Sequence, residues 1–311
     1  MPLTSTTRGM VGAASGMALV GALPAVSALL AAFPALGGQA VRYGIAAAIL
    51  GVLVRVTGGP PPKLRPRDVV LLAALALTGL AGFNLCVLAA VRDTSPATTG
   101  TVIAISPVVL AVAGPYLARR ARPAGAVVAG AAVVAAGTAV ATGLGGASPR
   151  GLAFAFGALA GEVCFSLLAL PLLPRLGPLR VSAYTAGLAA PMLLAAGLVV
   201  DGTHVGRVPT PKEAAALAFL AVVITTVAFL LWYDALGRLG ADRAGLFTGM
   251  IPVSAVATTA ALGLGAPSAA ELAGSALVTA GVLLGMRRTA APPASRNLKA
   301  APPERARIPN A

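Results

Sequence analysis

Ten apolar runs of roughly 20 residues follow one another along the chain, separated by short clusters of proline, glycine and charge. A bilayer hydrocarbon core about 30 Å thick is crossed by about 20 helical residues, so each run is a candidate span. They fall at 10–31, 40–56, 69–91, 98–117, 125–142, 151–173, 181–200, 214–236, 244–264 and 269–285. The apolar surplus belongs to the whole chain. Of its 311 residues 58% are hydrophobic and 10% charged, with a mean hydropathy of +0.89, whereas a soluble domain carries about 25% charged residues. A soluble core with a single anchor cannot hide that much apolar surface. The runs are continuous rather than alternating, which excludes a transmembrane barrel. The expected fold is an all-α polytopic membrane protein with ten transmembrane helices.

Charge sets the expected orientation, because cytoplasmic loops keep Lys and Arg. With ten spans, 18 of the 23 basic residues share a side with both termini and five (Arg42, Arg92, Arg150, Arg207 and Lys212) lie opposite. Both termini are therefore expected in the cytoplasm, and an odd number of spans would have put the basic tail outside. The net charge of +14 is distributed over loops and that tail instead of one face of a domain, so no nucleic-acid partner is expected. The tail, 288–311, reads as a disordered basic cytoplasmic segment. Arginine outnumbers lysine 20 to 3, as in a GC-rich bacterium, and no cleavable signal is expected because the first run is too long for one.

The chain repeats itself. Residues 97–109 (ATTGTVIAISPVV) align with 242–254 (DRAGLFTGMIPVS) at an offset of 145, and 130–137 (GAAVVAAG) with 274–281 (GSALVTAG) at 144. Each half holds five runs, so the second half must enter the membrane from the opposite side. That is an inverted repeat, the arrangement of many secondary transporters.

Several motifs, in this order and spacing, resemble the EamA type of the drug/metabolite transporter superfamily. They are QAVRYGIAAAIL around Arg42, LAAVRDTSPATTG followed by SPVV, PRLGPLRVSAY from Pro174 to Tyr184, and LWYDALGRLGADRAGLF followed by IPV. The resemblance implies two tandem five-helix repeats, here 9–143 and 150–287. It also implies a monomer or weak homodimer whose central cavity is lined mainly by helices 1, 3, 4, 6, 8 and 9 and which exports or exchanges small metabolites.

Glu162 is the most informative residue. A carboxylate near the middle of helix 6 costs about 2.5 to 3.5 kcal/mol on insertion scales, so it should face the bundle interior or a water-filled cavity. There protons and substrate can compete for it, coupling export to proton entry; the alternative is a structural carboxylate, protonated or paired with an arginine. Pro107 and Pro252 hold corresponding places in helices 4 and 9, and each removes a backbone donor. Matched helix breaks point to a transporter binding site, or else to bends that only serve packing. Thr98, Thr101, Ser106 and Thr248 could offer neutral hydrogen bonds to a substrate or bond their own helix at i−4. Asn84 could bind substrate or join helices. Arg42 lies about one turn inside helix 2. Its simpler reading is snorkelling to the headgroups, and its functional one a place in the cavity. Trp232, Tyr233 and Asp234 read as an interfacial belt with a helix-end charge.

Other chemistries are poorly supplied. His204 is the only histidine, expected in a solvated outer loop, and with Cys86 and Cys164 inside apolar runs no metal site is expected. No phosphate-binding loop is present to couple ATP. Apart from Glu162 the spans offer few ionisable groups for an enzyme. No cofactor is expected, and the partners are a small-molecule substrate and membrane lipids. The sequence reads as a secondary active transporter of the bacterial cytoplasmic membrane, exporting amino-acid-like or cationic, amphipathic metabolites. The alternative is a lipid translocase or a non-transporting membrane scaffold on the same fold.

Overall fold

The computed structural model describes residues 4–57, 59–60, 62–94, 96–117, 124–143, 148–261, 266 and 268–287. The expected tail, 288–311, lies outside them. Nine helices among the described residues are long and apolar enough to cross a membrane. We number the helical runs in chain order: α1 Ser5–Ala28, α2 Ala35–Thr57, α3 Pro66–Asp93, α4 Pro96–Ile103 with Ser106–Leu117, α5 Gly125–Thr142, α6 Pro149–Leu167, α7 Leu173–Asp201, α8 Pro211–Leu239, and α10 Ala269–Met286. Between α8 and α10 lies α9, helical in three pieces, Ala241–Ala244, Gly245–Gly249 and Met250–Ala261.

Helix starts follow from capping chemistry. Ser148 accepts from the Gly151 N–H at 3.0 Å before Pro149, and Ser268 with Glu271 forms a reciprocal capping box at α10. α3 and α8 begin alike: Pro66 and Pro211 occupy the first turn, followed by Asp68 and Glu213, whose carboxylates accept the backbone N–H of Arg65 and Thr210. Glycines with positive φ stand where chain direction changes, at Gly143 after α5 and Gly240 after α8. One such glycine corrects a boundary. The sixth run was expected to reach residue 173, but α6 ends at Leu167; α7 then starts at Leu173 and is divided by Gly177 at φ 72°.

Packing is reciprocal between the halves. α5 packs on α10 and α2 on α7, while α1 pairs with α8 as α3 pairs with α6. If α6–α10 are the counterparts of α1–α5, every one of these contacts maps onto itself or its partner when the halves are exchanged. Glycines set the closest approaches. A methyl on Gly16 would meet the Ala228 carbonyl at 3.3 Å, and one on its counterpart Gly161 would meet the Thr78 carbonyl at 2.8 Å. The backbone repeats too: π-helical turns occupy Leu75–Gly82 and Leu220–Val227, the same 145 residues apart.

Both ends of the bundle carry an arginine clamp. Arg175 pairs with Asp68 and donates to the Lys63 carbonyl, while Arg180 donates to the carbonyls of Gly59 and Pro60. At the start of α8, Arg207 binds Glu213 at 2.6 Å, donates to the Ala32 carbonyl and lies over the Phe33 ring. Asp68 and Glu213 thus head corresponding helices, each held by an arginine that also grips a loop.

Candidate transport cavity

The bundle encloses a cavity of about 610 Å³, within the range of small-molecule sites. α1, α3, α4, α6, α8 and α9 all contribute to its wall, and α2 and α5 join them. The wall repeats along with the fold. Met17 and Val20 of α1 line it where Glu162 and Phe165 of α6 do, Asn84 and Val87 of α3 where Phe229 and Trp232 of α8 do, and Ser106 and Pro107 where Ile251 and Pro252 do. Each pair is separated by 145 residues.

Seven of the nine candidate site residues line this one cavity, namely Glu162, Asn84, Ser106, Pro107, Thr248, Pro252 and Arg42, whereas Thr98 is buried outside its wall. Thr101 is not among the lining residues. Its hydroxyl hydrogen-bonds with that of Thr142 at 2.9 Å and donates to the Gly143 carbonyl at 2.9 Å, tying α4 to α5. Both prolines follow an interruption: α4 breaks at Ala104 and Ile105, and α9 tightens into a 3-10 turn at Gly245–Gly249. Thr248 sits in that turn and donates to the Gly245 carbonyl at 2.8 Å. Asn84 donates to the Leu80 carbonyl at 2.7 Å and more weakly to the Tyr43 hydroxyl at 3.4 Å, which leaves its carbonyl oxygen for other partners.

Glu162 has no hydrogen bond or ion pair among the described residues. Arg42 corrects an expectation. It does not snorkel: it is 6% exposed and turned inward, its Nε donating to the Thr225 hydroxyl at 2.6 Å and its Nη1 to Gln39 Oε1 at 3.2 Å. The π-helical turn of α8 prepares that contact. The Thr225 hydroxyl donates five residues back to the Leu220 carbonyl at 3.0 Å, so its lone pairs face Arg42.

Trp232 and Tyr233 also depart from expectation. They are 1% and 0% exposed and so form no lipid-facing belt. Phe165, Phe229 and Tyr233 instead pack on one another at tilted angles with ring centroids 5.0 to 6.1 Å apart, and Tyr43 joins Phe229 at 6.3 Å. Asp234 binds Arg238 through both carboxylate oxygens, at 2.7 and 2.9 Å. His204 is exposed in a short turn, as expected. Sequence reasoning missed Gln39, Phe165, Phe229 and Trp232 in the wall. The repeat offset could have found two of these, since adding 145 to Asn84 gives Phe229 and to Val87 gives Trp232.

The EamA-like transporter family model matches this chain twice, over residues 7–143 and 150–287. The chain belongs to the EamA-like transporter family. Two uncharacterized transporters of Bacillus subtilis (strain 168) are similar to it. YetK is 27% identical over 254 residues, covering 79% of this chain and 77% of YetK, and YyaM is 23% identical over 250 residues, covering 78% and 81%. A crystal structure matches with a TM-score of 0.76 over 91% of this chain and 96% of that one; at 22% identity this likeness is one of fold. This EamA-like chain is a multi-pass membrane transporter.

Proposed function

We propose that the protein is a secondary active exporter of small amino-acid-like or cationic, amphipathic metabolites. It would lie in the cytoplasmic membrane, crossing it ten times as two inverted five-helix repeats with both termini inside. The observation that carries this reading is a single cavity whose wall is built from both halves at matched positions. Rocking one half against the other around such a cavity alternates its access between the two faces. Glu162 couples the cycle: its carboxylate holds either a proton or a cationic group of the cargo, so each release of cargo is matched by the entry of a proton. Its lack of a protein partner among the described residues leaves it free for that exchange.

The first test is thermal unfolding of the purified wild type and Glu162→Gln against amino acids, cationic drugs, nucleosides, sugars and lipids. A ligand held at 100 times its dissociation constant adds about 2.7 kcal/mol to the folded state. One soluble class should stabilise the wild type, and in proteoliposomes its transport should be driven by a pH gradient in the wild type but not in Glu162→Gln. Stabilisation of both proteins by lipids alone would overturn the exporter, and an unchanged gradient dependence in the variant would overturn the coupling.

A further inference from the structure

The cavity wall repeats in position but not in chemistry, and its departures from symmetry are informative. Where α6 presents Glu162, α1 presents Met17; the position matching Arg42 is Gly187, which has no side chain to offer. Each half has therefore placed in the cavity one ionisable side chain that the other half lacks, one basic and one acidic. Arg42 and Glu162 form no ion pair with each other or with any other described residue. A buried guanidinium without a counter-ion is costly, and polar partners offset only part of that. Thr225 and Gln39 take the Nε and Nη1 donors of Arg42, the Tyr43 ring lies 5.3 Å from its guanidinium carbon, and Nη2 has no hydrogen-bond partner among the described residues.

Resting on the transporter reading, we propose that Arg42 is the anion-binding point of the cavity and that the cargo is a small zwitterion. Its carboxylate accepts hydrogen bonds from the open edge of Arg42, its ammonium faces Glu162, and its apolar body lies against Phe165, Phe229 and Trp232. Thr225 is a positioning residue: it holds Arg42 by Nε so that the outer edge of the guanidinium stays toward the cavity.

The test compares three forms of one skeleton: phenylalanine, phenethylamine and 3-phenylpropanoate, then leucine, isopentylamine and 4-methylpentanoate. Binding is measured by calorimetry on the full chain in detergent, and transport in proteoliposomes. In at least one triple the wild type should bind the zwitterion at least about tenfold more tightly than the amine or the acid. Arg42→Gln should weaken zwitterion binding by about 10- to 100-fold, the worth of a charge-assisted hydrogen bond, and leave the amine unchanged. Arg42→Lys should recover part of the loss. If Arg42→Gln fails to fold, Thr225→Val must lower the ratio of zwitterion to amine affinity. The proposal is overturned if the wild type prefers the amines, if no member of either triple binds, or if Arg42→Gln or Thr225→Val leaves the ratio unchanged. Transport of some other solute class would then leave the transporter reading standing, whereas the absence of any transported solute would remove that reading as well.

Discussion

Replacing Gly137 with alanine should loosen the contact between α5 and α10. The added methyl would stand 2.7 Å from the Val278 nitrogen and 2.8 Å from both the Gly274 carbonyl oxygen and the Leu277 Cβ. Carbon contacts are optimal at about 3.5 to 4.0 Å, so the helices must part locally by roughly 1 Å, and two of the three obstructing atoms are backbone. Overpacking of this kind costs about 1 to 3 kcal/mol. The better helix propensity of alanine returns about 1 kcal/mol, leaving a net loss of up to about 2 kcal/mol. In thermal unfolding of the purified chain this corresponds to a fall in Tm of up to about 8 °C, at about 2 to 4 °C per kcal/mol. Gly51→Ala is the control: it also lies inside a helix, yet a methyl there meets nothing within 4 Å, so its Tm should hold or rise. Gly274→Ala should behave like Gly137→Ala, because its methyl would meet the Gly137 carbonyl at 2.5 Å. The double variant should lose less than the two singles together, since one separation relieves both clashes. A Gly137→Ala protein as stable as Gly51→Ala would refute the argument that backbone contact holds these helices together.

Two further outcomes follow from the same geometry. Asp68→Asn removes the ion pair with Arg175 and weakens the start of α3, and Glu213→Gln does the same to Arg207 and α8. Each should lower the Tm, through the lost ion pair and the weakened helix start together, by more than raised salt lowers it in the wild type. Trp232 is the only tryptophan and lines the cavity, so a ligand seated there should shift or quench the intrinsic emission. Binding seen by calorimetry without any change in emission would place the ligand elsewhere.

Much of the fold was legible because length and punctuation suffice for membrane helices. The fifth run, bounded by proline and glycine, matches α5 residue for residue at Gly125–Thr142. The repeat was legible for a physical reason. Gly130 and Gly137 align with Gly274 and Gly281, and in the structure these glycines pack on one another: a methyl on Gly130 would meet the Gly281 carbonyl at 2.6 Å, and one on Gly281 the Gly130 carbonyl at 2.8 Å. A contact that maps onto itself imposes the same requirement on both halves, and small residues at a membrane helix interface are what close approach needs. The misread residues share a different cause. Position along a run gives depth in the bilayer but not the direction in which a side chain faces. In a soluble helix polarity supplies that direction; here lipid and protein interior are equally apolar, so Arg42, Trp232 and Tyr233 were assigned to the membrane boundary when they point inward.

The offset of 145 restores the missing direction, because a residue known to face the cavity in one half locates its partner in the other. It also bears on mechanism. In the proposed cycle one half rocks against the other around the cavity, so a wall position in one half takes over the place of its counterpart in the other. The charges do not follow. Arg42 has Gly187 as its counterpart and Glu162 has Met17, so both ionisable groups stay with their own helices throughout. In that proposed cycle, cargo and protons that bind those groups bias the transporter toward one face.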